Sequence, residues 1–161
     1  MIQAFKNEAN FQEWVVNQMA AQGWDVQPLR EDPRYPGIPD LSAAHPRFSD
    51  VWAELKCAGQ KQSVHDVLHL RRPVTAQQRE WLLRRAGHSG ARCGILVAYQ
   101  TSVEGYVSWC PIDEWLKRKD MIIMEWAMNP YTAKVVWLRS GATSFERLIN
   151  GGHTPGWGSG N

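Results

Sequence analysis

The sequence predicts an α/β fold in which helices flank a mixed β-sheet. Residues 5–22 and 75–87 have the 3.6-residue spacing of apolar side chains that is typical of helices packed on a core. The continuous apolar run at 92–100 is typical of a strand covered on both faces. A chain of 161 residues is long enough for one domain with a substantial core.

Composition and charge exclude several classes of protein. The formal net charge is only +2, so any contact with DNA must come from a local patch and not from the overall field. The three cysteines lie far apart without CxxC spacing, which argues against a zinc site and a disulfide framework. No apolar run is long enough to span a bilayer or to form a signal core, so we expect a cytoplasmic protein without a membrane partner.

The first predicted helix carries a carboxylate on its apolar side. Phe11 and Val15 belong to its apolar stripe, and Gly23 is a plausible C-terminal stop. Glu8 lies beside this stripe, while Glu13 points the opposite way. A carboxylate at a buried edge is costly unless a cation meets it, so Glu8 is a candidate ligand. The alternative is a solvated glutamate at the helix edge.

A loop rich in proline and charge precedes the next carboxylate. Residues 24–29 read as a short strand, and residues 30–39 form the loop. The loop carries Arg34 and Tyr35 and leads through Gly37 into Asp40. Residues 43–50 are expected to connect two strands as a hairpin turn without evident chemistry.

The strand predicted at 51–56 presents a charged pair. Side chains alternate along a strand, so Glu54 and Lys56 share one face with Trp52. Asp40, on a neighbouring strand, would add a second carboxylate. Two carboxylates with a nearby cation are what a magnesium-dependent phosphodiesterase needs. Taken alone, Glu54 and Lys56 would more simply be a surface ion pair.

Residues 57–74 form a polar, basic insertion. Lys61, Arg71 and Arg72 bring positive charge beside the expected cleft, which favours a mobile flap that grips the DNA backbone. His65 and His69 have the i,i+4 spacing of a helical metal pair, but no third ligand is evident.

The second predicted helix begins with a capping box. Thr75 is the expected N-cap and Gln78 the third helical residue. Gln78 also shares a face with Trp81 and Arg85, so it points inward at the start of the helix. Arg79, Arg84 and Arg85 are expected to form a solvated basic flank.

The remaining chain is predicted from weaker patterns. A strand at 105–110 and a helix at 111–119 complete a core of residues 1–120. A C-terminal hairpin is predicted at 122–138, with its turn at 129–132, and a short helix at 145–149. These would make a 121–149 extension packed on the core. Residues 150–161 are rich in glycine, proline and serine and are expected to be a flexible tail.

Taken together, the motifs resemble the PD-(D/E)xK nuclease superfamily. The motif carrying the resemblance is Gly37-Ile38-Pro39-Asp40 followed by Glu54-Leu55-Lys56, supported by Glu8 and by Thr75-x-x-Gln78. Its first half is similar to the VRR-NUC (virus-type replication-repair nuclease) branch, close to the archaeal Holliday-junction resolvases. The resemblance covers roughly residues 8–110 and implies a restriction-endonuclease-like core.

The resemblance also implies roles for individual residues. Residues assigned to catalysis are Lys56, Glu54, Asp40 and Gln78, the glutamine orienting the attacking water or the lysine. The metal ligands would be Glu8, Asp40, Glu54 and the backbone carbonyl of Leu55. The implied cofactor is Mg²⁺, for which Mn²⁺ would substitute. DNA contacts are expected from Arg34 and Tyr35 on the loop over the cleft, and from Lys61, Arg71 and Arg72.

The function predicted from these observations is a magnesium-dependent DNA endonuclease. It would be selective for branched DNA, such as a flap or a junction, in phage or bacterial replication, recombination or repair. A four-way junction would call for a homodimer, and phage or repair-complex proteins are further expected partners. The alternative is a nuclease fold used as a structural or DNA-binding module in a larger phage assembly. A sequence-specific restriction-type enzyme ranks last because no base-reading helix is evident.

Overall fold

A mixed β-sheet lies at the centre of the fold. The computed structural model describes residues 5–59, 62–102, 104–129 and 131–135. The helices are α1 (Glu8–Ala21), α2 (Ala76–Ser89), α3 (Trp115–Arg118) and α4 (Ile123–Ala127), with a 3₁₀ turn at Ile112–Glu114. The strands are β1 (Asp25–Pro28), β2 (Leu41–His45), β3 (Phe48–Cys57), β4 (Arg92–Gln100), β5 (Gly105–Pro111) and β6 (Thr132–Val135). None of the described helices is long and apolar enough to cross a membrane.

The strands follow one another across the sheet in chain order, β1 to β6. Neighbouring strands are antiparallel except β3 and β4, which are parallel and are joined by the crossover helix α2. The predicted α/β class, a mixed sheet flanked by helices, is confirmed. The arrangement brings the carboxyl end of β3 close to the start of α2.

Two apolar clusters cover the two faces of the sheet. On one face, α1 packs Phe11, Val15 and Met19 against Leu55 and its apolar neighbours on β3. On the other face, α2 packs Leu82 onto β4. Each fully buried large apolar side chain contributes about 1.5–3 kcal/mol to folding. The alternation predicted for β3 is confirmed, and it directs Glu54 and Lys56 to the face of α2.

The capping box predicted at the start of α2 is confirmed. The Thr75 hydroxyl accepts from the Gln78 backbone N–H at 3.1 Å, and Gln78 Oε1 accepts from the Thr75 N–H at 2.9 Å. The helix ends at Gly90, whose φ of +66° is left-handed. The box fixes both the first turn of α2 and the orientation of the Gln78 amide.

The expected turn at 43–50 is wrong in extent, because most of it is strand. β2 continues to His45 and β3 begins at Phe48, leaving two residues between them. Aromatic packing stabilises this tip: the His45 ring lies 4.8 Å from Phe48 and 5.0 Å from Trp24 between centroids.

The first strand of the hairpin predicted at 122–138 is also wrong, because α4 occupies it. Ile123 and Trp126 lie one helical turn apart and are both buried. The backbone N–H groups of Ile123 and Met124 donate to carbonyls of the 57–74 segment, each at 2.9 Å. β6 then pairs with β5. The second half of the hairpin beyond residue 135, the helix at 145–149 and the tail lie outside the described residues.

The basic segment 57–74 is anchored along its length. Leu68 is buried, Ala58 bridges to Leu70, and Val67 bridges to Ile122. The Arg71 N–H donates to the Cys57 carbonyl at 2.9 Å. The described part of this segment is therefore held to the sheet edge and to α4, and not built as a detached flap.

His65 and His69 do not form the helical pair that their spacing suggested. They lie in a turn and an extended stretch rather than on a helix. Among the described residues, no three His, Cys, Asp or Glu side chains are grouped to hold a metal ion. The zinc alternative thus has no geometric support in this part of the chain.

Candidate active site

Asp40 is tied directly to β3. It lies just before β2, and its Oδ2 accepts from the Leu55 backbone N–H at 2.7 Å. The β2–β3 register ends at the pair Leu41–Ala53, so the Asp40 carboxylate takes the place of the next strand partner. The N–H and C=O of one strand residue point to the same edge, so the Leu55 carbonyl also faces the Asp40 side.

Glu54 and Lys56 form a buried pair on the adjacent part of β3. Lys56 Nζ lies 3.1 Å from Glu54 Oε1, and the side chains are only 5 % and 4 % exposed. Gln78 Nε2 donates to the same Glu54 oxygen at 2.8 Å. The surface-ion-pair alternative is therefore wrong: burial makes both charges costly, and their mutual contact offsets part of that cost.

Burial raises the pKa values of both Asp40 and Glu54. Burial raises the pKa of Asp40, although its hydrogen bond from Leu55 acts in the opposite direction. Burial, followed by the charge of Asp40, raises the pKa of Glu54 to about 8, with a smaller contribution from Glu8 and an opposing one from Lys56. Perturbed carboxyl groups held close together are characteristic of sites that bind cations or transfer protons.

Glu8, in the first turn of α1, lies near enough to Glu54 for its charge to raise the pKa of that residue. Asn7 caps this helix, its side chain accepting from the Asn10 N–H at 2.9 Å. The Glu8 Oε1 atom is buried and has no hydrogen-bond partner in the described part of the chain. Burial, followed by the charge of Glu8, also raises the pKa of the Cys57 thiol. An orphaned buried carboxylate oxygen is destabilising, and a bound cation would satisfy it.

The loop before Asp40 packs on the start of α2. Gly37 has φ of +88°, and a Cβ there would lie 2.3 Å from the carbonyl oxygen of Gln77. Only glycine fits this close approach. A cavity of about 300 Å³ lies between the loop and the first turn of α2, with Tyr35 and Gln78 among its lining residues. The predicted position of Tyr35 near the cleft therefore agrees with this geometry.

The predicted DNA-contact residues have different surroundings. Arg34 is 80 % exposed and pairs with Asp32 at 2.9 Å, and this bond lowers the pKa of Asp32. The Arg71 guanidinium donates to the Lys6 carbonyl and, at 3.3 Å, to the Gly59 carbonyl. Arg72 is exposed, and Lys61 lies outside the described residues. Arg71 is thus used to fix its segment to the N-terminal side of α1.

Sequence reasoning missed two features of the site's surroundings. The charge of Glu31, on the loop, raises the pKa of Asp40. Arg85 is not a solvated flank residue, because its guanidinium lies 4.5 Å from the Trp52 ring centroid and 4.9 Å from that of Trp81. The shared helical face of Gln78, Trp81 and Arg85 was the available signal for the second feature.

The carboxyl groups fit a hard divalent cation chemically. Asp40, Glu54, Glu8 and the Leu55 carbonyl supply oxygen atoms, the ligands that Mg²⁺ and Mn²⁺ take in proteins. In the conformation described, no three acidic side chains among the described residues are grouped to hold an ion together. Glu54 is instead held by Lys56 and Gln78. Both of these contacts are made with Oε1 of Glu54, so they do not themselves occupy its second carboxylate oxygen.

Comparisons with known proteins give a structural likeness and no match in sequence. No protein-family model matches the chain, and no curated protein matches it. Among solved structures, the chain is similar to Hjc, a Holliday junction resolvase from the archaeon Archaeoglobus fulgidus. The TM-score is 0.45 at 16 % sequence identity, covering 65 % of this chain and 77 % of that chain. A likeness at this level says nothing about individual residues, so the site is interpreted from its own contacts.

Proposed function

We propose that this chain is a divalent-metal-dependent nuclease that hydrolyses phosphodiester bonds in DNA. The observation that carries the proposal is the buried group formed by Asp40, Glu54 and Lys56, with Gln78 bonded to Glu54 at 2.8 Å. A fold gains no stability from burying two carboxyl groups with raised pKa values beside one lysine. A site of this composition is instead suited to a charged substrate and a cation.

The ion would be held by Asp40 and Glu54, with Glu8 and the Leu55 carbonyl as further donors. The orphaned Glu8 oxygen and the direction of the Leu55 carbonyl support this assignment. A bound Mg²⁺ would withdraw negative charge from the phosphate and lower the pKa of a bound water. Mn²⁺ is expected to substitute, since it accepts the same oxygen ligands.

The side chains themselves supply positioning and charge. Lys56 orients the attacking water by hydrogen bonding and offsets the negative charge that develops in the transition state. Gln78 connects the capping box of α2 to Glu54, so the first turn of the helix sets the orientation of that carboxylate. Gly37 keeps the loop against the same turn, which leaves Tyr35 beside the cavity for substrate.

The substrate class is proposed to be branched DNA, such as a flap or a four-way junction. This part rests on the resemblance of the Gly37–Asp40 and Glu54–Lys56 motifs to VRR-NUC nucleases and resolvases. A four-way junction would require a two-fold dimer that presents two sites, whereas a monomer would serve a flap. The cellular process would then be replication, recombination or repair, with other proteins of that process as partners.

Cleavage assays test the proposal. Labelled four-way junction, flap, duplex and single-stranded DNA are incubated with the protein in Mg²⁺, Mn²⁺ and EDTA. Lys56→Ala is compared with Lys117→Ala, which removes the same charge from an exposed position on α3. We expect metal-dependent cleavage by wild type and Lys117→Ala but not by Lys56→Ala. The absence of product in both metals with every substrate would overturn the proposal.

A second candidate function is a nuclease fold used as a DNA-binding or structural module. The observation that favours it is the lack of a three-carboxylate grouping among the described residues. DNA binding without cleavage at any metal concentration would support this function. Binding accompanied by metal-dependent cleavage would exclude it.

A further inference from the structure

The face of the sheet that carries Glu54 and Lys56 is only partly covered by α2. Leu41 and Ala43 of β2 point into the α1 cluster, so Ser42 and Ala44 point to the opposite face. There Ser42 is half-buried, whereas Ala44 is exposed, as is Asp50 at the start of β3. This face is therefore more open over β2 and the start of β3 than it is beneath α2.

Two tryptophans and an arginine are stacked where β3 meets α2. The rings of Trp52 and Trp81 lie 5.3 Å apart between centroids. The Arg85 guanidinium lies 4.5 Å from the first ring and 4.9 Å from the second. Cation–π contact with two indole rings restrains this side chain while it keeps its charge. Arg85 is thus held in one orientation before a ligand binds, so binding costs less of its side-chain conformational entropy.

A cavity of about 250 Å³ opens next to this stack. Trp81, Arg84, Arg85 and His88 line it, and Arg84 and His88 are exposed. The pocket therefore combines one stacked arginine, one exposed arginine, an imidazole and an indole. Guanidinium groups bind phosphate oxygens in a fork geometry, and an aromatic side chain offers a surface to a base or a sugar.

The pocket lies on the same helical face as the candidate active site. Gln78, which contacts Glu54, and Arg85 are seven residues apart on α2, which corresponds to about 10 Å along the helix axis. A nucleic-acid strand bound at the candidate active site would therefore pass within reach of this pocket.

We infer that this pocket binds a backbone phosphate of the nucleic-acid strand, beside the bond to be cut. Arg85 makes the oriented contact, and Trp52 and Trp81 act as positioning residues for it. Arg84 adds a second positive charge and His88 a further hydrogen-bonding group. The position of this phosphate relative to the bond that is cut rests on the proposed function. The binding itself requires no cleavage and can be measured without it.

Fluorescence anisotropy with labelled duplex DNA in EDTA tests this site. The double variant Arg84→Gln/His88→Gln changes only exposed side chains and should fold normally. Its matched control is Lys117→Gln, an exposed charge on α3. We expect the double variant to bind at least several-fold more weakly than wild type. The slope of log affinity against log salt should fall by about 1 for each phosphate that the variant no longer neutralises. Affinity and slope equal to those of the control would overturn the inference.

Arg85→Lys tests the role of the aromatic stack. Lysine keeps the charge but not the planar guanidinium that lies on Trp52 and Trp81. We expect weaker DNA binding than wild type in a variant that is still folded at the temperature of the assay. Wild-type affinity in this variant would overturn the positioning role of the two tryptophans. If the variant does not fold, Trp81→Phe, which keeps an aromatic ring at one side of the stack, is measured in its place, with the same expected loss and the same contradicting result.

The failure of this inference can be separated from failure of the proposed nuclease. Wild-type cleavage in Mg²⁺, with unaltered DNA affinity in the Arg84→Gln/His88→Gln variant, would overturn the phosphate pocket alone. Loss of affinity in that variant, without cleavage by wild type, would support the pocket and overturn the nuclease.

Discussion

The raised pKa of Glu54 predicts that divalent-ion binding strengthens steeply with pH. An ion binds the carboxylate and not the carboxylic acid, so binding must displace the proton that Glu54 holds. With a pKa of about 8, Glu54 is about 1 % ionised at pH 6, about 10 % at pH 7 and about half ionised at pH 8. The apparent affinity for Mg²⁺ or Mn²⁺ should therefore increase about fifty-fold from pH 6 to pH 8, or about 2 kcal/mol.

Isothermal titration calorimetry with Mn²⁺ measures this dependence. Titrations at pH 6, 7, 8 and 9 give the affinity, and buffers of different ionisation enthalpy give the number of protons released. We expect about one proton released per ion at pH 7, and less than a two-fold further gain in affinity from pH 8 to pH 9.

The control variants make the prediction specific to Glu54. Glu54→Gln should abolish the pH dependence together with most of the affinity. Glu80→Gln removes an exposed carboxylate from α2 and should behave as wild type. An affinity that stays constant between pH 6 and pH 8, without proton release, would refute the placement of the ion at a buried, protonated Glu54.

Three further predictions concern the stability of the fold and the role of Glu8 in ion binding. In the absence of metal, the folded protein holds the Glu54 proton more tightly than the unfolded chain does, because the pKa of Glu54 is about 8 in the fold and about 4.5 in the unfolded chain. This difference stabilises the fold fully below pH 4.5, and the stabilisation is lost as the pH rises to about 8. Glu54→Gln should therefore show a smaller fall in thermal midpoint from pH 5 to pH 8 than wild type; an equal fall would contradict this. Gly37→Ala should cost at least about 1–2 kcal/mol in chemical denaturation, because its φ is +88° and its Cβ would meet the α2 backbone at 2.3 Å. Gly87→Ala, with no atom within 4 Å of its Cβ, should instead stabilise the protein by up to about 1 kcal/mol, and a similar effect of both substitutions would contradict the packing of the loop. Glu8→Gln should weaken Mn²⁺ binding in calorimetry while Glu13→Gln, on the exposed side of α1, should not; equal affinities would remove Glu8 from the site.

The sequence predicts well those parts of the fold that depend on local patterns. The alternation along β3 depends only on strand geometry, so it correctly separated Glu54 and Lys56 from the apolar face. The capping box of Thr75 and Gln78 depends on residues three positions apart, and its two hydrogen bonds are both present. Such features require no knowledge of distant contacts.

Features decided by distant contacts were predicted wrongly or not at all. The apolar run that became α4 is short enough to be helix or strand, and carbonyls of Val64 and Asp66 favour the helix by accepting its first N–H groups. The anchoring of segment 57–74 likewise depends on bridges to residues far along the chain. Charge alone had suggested a mobile flap there.

The candidate site shows the same division between local and distant information. Its acidic and basic residues were predicted by type and spacing, whereas the bond from the Leu55 N–H to Asp40 depends on where the β2–β3 register ends. The stacking of Arg85 on two tryptophans also arises only when α2 packs on β3. A sequence pattern does not specify that packing.

The single-turnover cleavage rate of wild type and Asp40→Asn on labelled branched DNA, in Mg²⁺ at pH 8, tests the central claim most directly. Asparagine can still accept the Leu55 N–H through its side-chain oxygen, so the fold should persist while the negative charge is removed. We predict cleavage by wild type and a rate at least about 100-fold lower for the folded variant. Equal rates for the two proteins, or no cleavage by wild type in Mg²⁺ or Mn²⁺, would contradict the assignment of this site as a metal-dependent nuclease.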